Sequence, residues 1–142
     1  KKLPADVVFR RVPVTWGNPQ LAGLAKLFLT LETTGDHARL HGQIFDAVQS
    51  EKLPLHTEAG AQEWVVKGID AKKFAEAYRS FNVNVRLKRV EELGRNYKVQ
   101  GVPLLAIDGK YFTSASIAGS HEAALKSADQ LIVRARGEQG RK

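Results

Sequence analysis

A strand-like segment stands at residues 7–14 and no other appears until residue 104; that gap limits most strongly what this chain can fold into. Val7, Val8, Val12 and Val14 give the first segment the β-branched content of a strand. Pro13 has no N–H to donate, so the strand ends there or lies at an edge. The residues between the two strand patterns carry a helical period. A hairpin and a last helix complete the chain. Strand, helices, hairpin and helix together describe an α/β fold whose sheet is interrupted by a block of helices.

The helical block divides into recognisable pieces. Residues 16–19, Trp-Gly-Asn-Pro, are turn chemistry. Leu21, Leu24, Ala25, Leu27, Phe28 and Leu31 then recur at helical spacing over 20–31, and Thr33, Thr34 and Gly35 are expected to stop that helix. A second helix is expected over 36–50, with Leu40, Ile44, Phe45 and Val48 on its inner face. Thr57 is the expected N-cap of a third, running through Trp64 and Val65 to near Gly68. Asp70 caps a fourth, through Phe74, Ala75 and Tyr78 to Ser80. A longer helix follows over 82–97, with Val83, Leu87, Val90 and Tyr97 facing inward.

After Val99 the pattern changes. Gly101, Val102 and Pro103 form a turn, and residues 104–107 read as a short buried strand. Asp108-Gly109 is the strongest short hairpin signal a sequence offers, and 110–113 is the returning strand. Residues 114–119 read as loop. The last helix is expected over 120–135 on Leu125, Ala128, Leu131 and Ile132, with 137–142 frayed.

Composition excludes several classes of function. A length of 142 residues with 43% hydrophobic and 26% charged content fits one folded domain rather than a disordered chain. No run approaches the roughly 18 apolar residues of a membrane span, which predicts a soluble chain. The opening Lys1-Lys2-Leu3-Pro4 does not read as a signal peptide. The net charge of +7 is spread over Arg10, Arg11, Arg86, Lys88, Arg89, Arg95, Arg134, Arg136, Arg141 and Lys142. Without aromatic side chains interleaved in a basic patch, a solvated surface explains it better than nucleic-acid binding, and no nucleic-acid partner is expected. The chain has no cysteine, which removes disulfides, thiolate metal sites and cysteine nucleophiles together.

The remaining polar candidates are weak. His37 and His41 have the four-residue spacing of a helical zinc pair, but no third ligand accompanies them, so both read as surface histidines. His56 in a loop and His121 in the first turn of the last helix have no nucleophile beside them. Glu91 with Glu92, and Glu32 with Asp36, are polar helix faces. Trp16 and Trp64 read as core or inter-lobe packing. No glycine pattern cradles a phosphate, and neither a metal nor a cofactor is expected.

The stretch 97–111, YKVQGVPLLAIDGKY, resembles the second half of a thioredoxin fold, in which a long helix leads through a cis-proline turn into a strand, hairpin and last helix. Residues 80–85 resemble the start of the long helix in DsbA-type proteins, and 7–16 the strand that precedes the helical insertion of that family. The likeness extends from about Val7 to Val133. It implies a thioredoxin-like domain of residues 1–19 and 81–142, interrupted by a helical domain of residues 20–80. It also implies that Val102 and Pro103 hold an extended substrate by strand addition. In this family Arg11 stands where a charged residue near the active-site helix is common, although a solvent-facing strand position explains it as well.

DsbA-type proteins carry Cys-x-x-Cys on a helix that this chain lacks, together with the central strand of the sheet. The 142 residues are therefore expected to be incomplete as a folding unit, the missing strand coming from a further segment or a second chain. No residue here is assigned a catalytic role. The resemblance implies a periplasmic thiol:disulfide oxidoreductase that introduces disulfides into secreted proteins. Its partners would be unfolded or extended polypeptides and a membrane reoxidising protein. A redox-inactive peptide-binding module of the same fold is the alternative, and a basic nucleic-acid-associated protein is a third.

Overall fold

Helix α1, Pro19–Thr34, is apolar on nearly every side, and the first half of the chain is arranged around it. The computed structural model describes residues 3–65, 68–99 and 101–140. Lys1, Lys2, Gln100, Arg141 and Lys142, which enter the sequence reading above, lie outside them, as do residues 66 and 67, over which the third helix is expected to continue. The chain forms two compact units, Lys1–Lys98 and Val99–Lys142, where its length had suggested one domain.

The first unit holds α1, α2 (His37–Gln49), α3 (Glu58–Val65), α4 (Ala71–Tyr78) and α5 (Phe81–Asn96). Leu27 and Leu31 of α1 enter a core with Leu40, Leu55, Ala61, Val65, Phe74 and Tyr78. Leu29, with Phe28 beside it, enters a second core with Val83 and Val90 of α5. Each such side chain contributes about 1.5–3 kcal/mol by leaving water. Three helices start where short polar side chains accept backbone N–H groups: Asn18 from Gln20, Asp70 from Lys72 and Lys73, and Ser80 from Val83. Thr57 acts likewise, its hydroxyl accepting from the Gly60 N–H at 3.0 Å.

Thr33 and Thr34 do not stop α1 as expected. The Thr33 hydroxyl donates to the Leu29 carbonyl at 2.9 Å and that of Thr34 to Leu31 at 3.2 Å, so both are accommodated within the helix. The helix ends at Gly35, at φ 83°, where the Asp36 N–H bonds back to the Leu31 carbonyl. Phe45, assigned to the inner face of α2, is 62% exposed, and Ala47 takes the buried place. Residues 7–14 form no strand, since Pro13 lacks an N–H and no partner strand lies beside them among the described residues.

The second unit is a two-stranded antiparallel sheet, β1 (Leu104–Ile107) with β2 (Tyr111–Ser114), followed by α6 (Ala115–Ala118) and α7 (His121–Gln139). Asp108 and Gly109 both have positive φ, 54° and 65°, the backbone that a mirror-image hairpin turn requires. β1 is half-buried rather than buried; among the described residues β2 is its one strand neighbour. The expected loop 114–119 contains α6, started by the Ser114 hydroxyl and ended at Gly119 with φ 100°. Leu125 of α7 is 50% exposed; its inner stripe passes instead through Ala124, Ala128, Leu131, Ile132 and Ala135. No helix among the described residues is long and apolar enough to cross a membrane.

Two helical glycines make opposite predictions. A Cβ on Gly23 of α1 would stand 2.0 Å from the backbone carbonyl oxygen of His56, whereas one on exposed Gly42 of α2 would meet nothing within 4 Å. Gly42→Ala is therefore expected to stabilise by the ordinary helix gain of about 0.5–1 kcal/mol. Gly23→Ala is expected to destabilise by about 1–3 kcal/mol despite the same gain. Urea midpoints of the two variants check this.

Candidate substrate-binding loop

The second unit is braced at the end of α7. The Tyr111 hydroxyl donates to Glu138 Oε1, Gln139 Nε2 donates to Asp108 Oδ1 at 3.0 Å, and Lys110 Nζ lies 3.6 Å from Glu138 Oε2. Arg134 stacks over the Tyr111 ring at 5.0 Å. These contacts carry α7 to Gln139 and correct the expectation that it frays from residue 137. Accepting the Tyr111 hydrogen bond holds Glu138 below the usual carboxylate range, and the same bond pushes the Tyr111 phenol up. Both groups are solvent-accessible, so the bond positions the hairpin more than it stabilises it.

This frame carries the turn at Gly101, Val102 and Pro103. All three residues are exposed, Val102 at 59%, and the Val102–Pro103 peptide is cis. Among the described residues, no hydrogen bond occupies the Val102 N–H or C=O. β1 follows directly, and among the described residues its edge away from β2 is unpaired. The loop thus offers an extended chain one donor and one acceptor beside an open strand edge. Val102, Pro103 and their neighbours 99, 101 and 104 include no titratable side chain, so the described loop can bind but not transfer a proton.

Each unit carries exposed apolar side chains. Phe112 (39%) and Ile117 (66%) are exposed and, with Thr113, Ser127, Gln130, Leu131 and Arg134, line an open groove of about 380 Å³. In the first unit Val8, Phe9 and Val12 are exposed at 78%, 57% and 45%. Phe112 and Ile117 in one groove are exposed apolar surface of the kind that contacts a ligand or another chain.

Trp64 packs on the helical core, but Trp16 is 53% exposed, at φ 46°, and is not a core residue. Arg11 is exposed, with its guanidinium 5.7 Å from the Phe9 ring. Glu32 pairs with Arg86. His41 and His121 are exposed and His56 is half-buried. His37 is not a surface residue: it is 8% exposed and packs against Phe28. Among the described residues no group of three or more His, Cys, Asp or Glu could hold a metal ion. Sequence reasoning missed the Tyr111–Glu138 contact, whose partners are far apart in the chain and carry no local signal.

The model of the DSBA-like thioredoxin domain matches residues 6–126. The chain is 39% identical to the thiol:disulfide interchange protein DsbA of Azotobacter vinelandii, over 97% of this chain and 64% of that protein. It is 36% identical to that of Pseudomonas aeruginosa, over 96% and 64%. The chain thus spans less than two thirds of the curated relatives it matches. The crystal structure of Pseudomonas aeruginosa DsbA superposes with a TM-score of 0.89 at 35% identity, covering 98% of this chain and 72% of that one. The oxidoreductase NmDsbA3 from Neisseria meningitidis gives 0.87 at 25% identity, over 99% and 75%.

One prediction follows from the bracing of α7. Glu138→Ala should bring the Tyr111 phenol back down toward its ordinary value while leaving Tyr78, raised chiefly by burial, where it is. Ring-carbon NMR titration of the two tyrosines reads this directly.

Proposed function

Because the chain belongs to the DSBA-like thioredoxin family, with a thioredoxin-like fold and a helical lobe, we propose that it supplies the substrate-holding loop and the lobe of a thiol:disulfide oxidoreductase. The supporting observation is the exposed cis Val102–Pro103 turn, with its free Val102 backbone groups beside the open edge of β1. An extended polypeptide adds at the turn, Val102 bonding its main chain and Pro103 shaping the turn, while the β1 edge is left to a partner strand.

The chemistry is disulfide transfer to secreted proteins. A substrate thiolate attacks one sulfur of an enzyme disulfide and expels the other as a thiolate, forming a mixed disulfide. A second substrate thiolate then attacks the substrate sulfur of that bond; the substrate leaves oxidised and the enzyme keeps both electrons as a dithiol. None of the 142 residues is a cysteine, so the reactive pair is assigned to a segment or chain outside this sequence. The same segment would provide the strand that pairs with β1 and cover the exposed apolar residues. In that assembly residues 1–19 and 81–142 form the thioredoxin-like domain and 20–80 the inserted helical domain. Its site of action is the periplasm, its substrates are unfolded or extended chains, and a membrane protein reoxidises it.

The lack of any cysteine favours one second reading, a redox-inactive module that holds extended peptides on the same loop. Oxidation of a dithiol peptide by the natural protein separates the two. The oxidoreductase reading expects turnover, and Val102→Arg is expected to lower kcat/KM about tenfold, equivalent to about 1.4 kcal/mol, with unfolding temperature unchanged. Peptide binding without any oxidation would instead favour the module, and unchanged kcat/KM in the variant would remove Val102 from the site.

A further inference from the structure

Helix α2 opens with a histidine in an apolar setting. His37 is 8% exposed, and its Nε2 is buried without a hydrogen-bond partner. The Phe28 ring of α1 and the imidazole meet in a T-shaped arrangement with centroids 4.3 Å apart, and the His41 ring, one turn further along α2, lies at 4.9 Å. Phe28 and His41 also form part of the wall of an open, mostly apolar groove of about 290 Å³, with Ile44, Phe45, Pro13 and Val14. His37 therefore stands behind that wall, at the point where α1 and α2 pack together.

The neutral imidazole suits this place and the imidazolium does not. Protonation would put a second N–H donor with no acceptor, and a full charge, into a site nearly closed to water. The first turn of α2 adds its own unpaired N–H groups and the positive end of the helix dipole. Three other charged or titratable groups act on the ring. His41 on α2 and Arg11 on the N-terminal segment oppose its charge, and Glu32 on α1 favours it. The Glu32 carboxylate is already paired with Arg86, which weakens that support. Burial is the largest influence and holds the imidazole below its ordinary value.

We propose that His37 is an acid-sensitive latch between α1 and α2, whose protonation loosens the groove wall formed by Phe28 and His41. In the opened or unfolded chain the ring binds its proton near the ordinary 6.5, and in the folded chain only at lower pH. The opened state therefore binds more protons in that window. The contribution of His37 to stability is whole above about pH 6.5, falls as pH drops toward the depressed folded value, and levels off below it.

The test uses the natural protein, its His37→Leu variant and a His121→Gln control, melted at about pH 7.5 and about pH 5. The wild type and the control should lose at least about 3 °C more than His37→Leu between the two pH values. The dye ANS, which reports loosened apolar surface, should bind more at the acid pH in the wild type and not in the variant. NMR titration of the wild-type protein should place the His37 imidazole below its ordinary 6.5, a readout that survives if the variant does not fold. Equal pH dependence of melting in variant and wild type, or a His37 midpoint at or above the ordinary 6.5, overturns the proposal.

Discussion

Burial of α1 on two sides is the interaction on which the helical unit depends. Leu27 and Leu31 are wholly buried toward α2, α3 and α4, while Leu29 is buried toward Val83 and Val90 of α5. A helix with that much apolar surface has no independent existence in water, so neighbours on both sides are obligatory. The close approach of the His56 carbonyl to Gly23 follows from the same constraint. The chain from α2 to α3 passes so near α1 that only a residue without a side chain fits there.

The second unit obeys a different constraint. A two-stranded sheet is marginal alone, and here α7 packs on both strands while Tyr111, Asp108, Gln139 and Glu138 fix its far end. Among the described residues that leaves β1 with one unpaired edge, and the Val102–Pro103 turn exposed at its start. Surface of this kind invites other chains: in the function proposed here the edge takes a partner strand and the backbone groups of the Val102–Pro103 turn take an extended substrate.

Much of this was legible in local chemistry. Thr57 and Asp70 start helices where their side chains say they should, and Asp108-Gly109 makes the turn that only such a pair adopts readily. The turn at 101–103 was readable as well, and its cis peptide came from the family likeness rather than from any property of the residues. What stayed hidden depends on distant partners. Phe45 and Leu125 have the right spacing for an inner face, but among the described residues they stay largely exposed. The exposure of His37 could not be judged without knowing that Phe28 would lie against it. Residues 7–14 have strand composition, but composition does not supply a hydrogen-bonding neighbour.

The central claim is that the loop and lobe described here serve cysteines carried outside these 142 residues. The intact mass of the reduced natural protein, before and after thiol alkylation, tests it most directly. The account predicts a protein or stable complex whose mass exceeds the 15.7 kDa of this chain and which gains two alkyl groups. A species of 15.7 kDa, alone and without any alkylation, would contradict it.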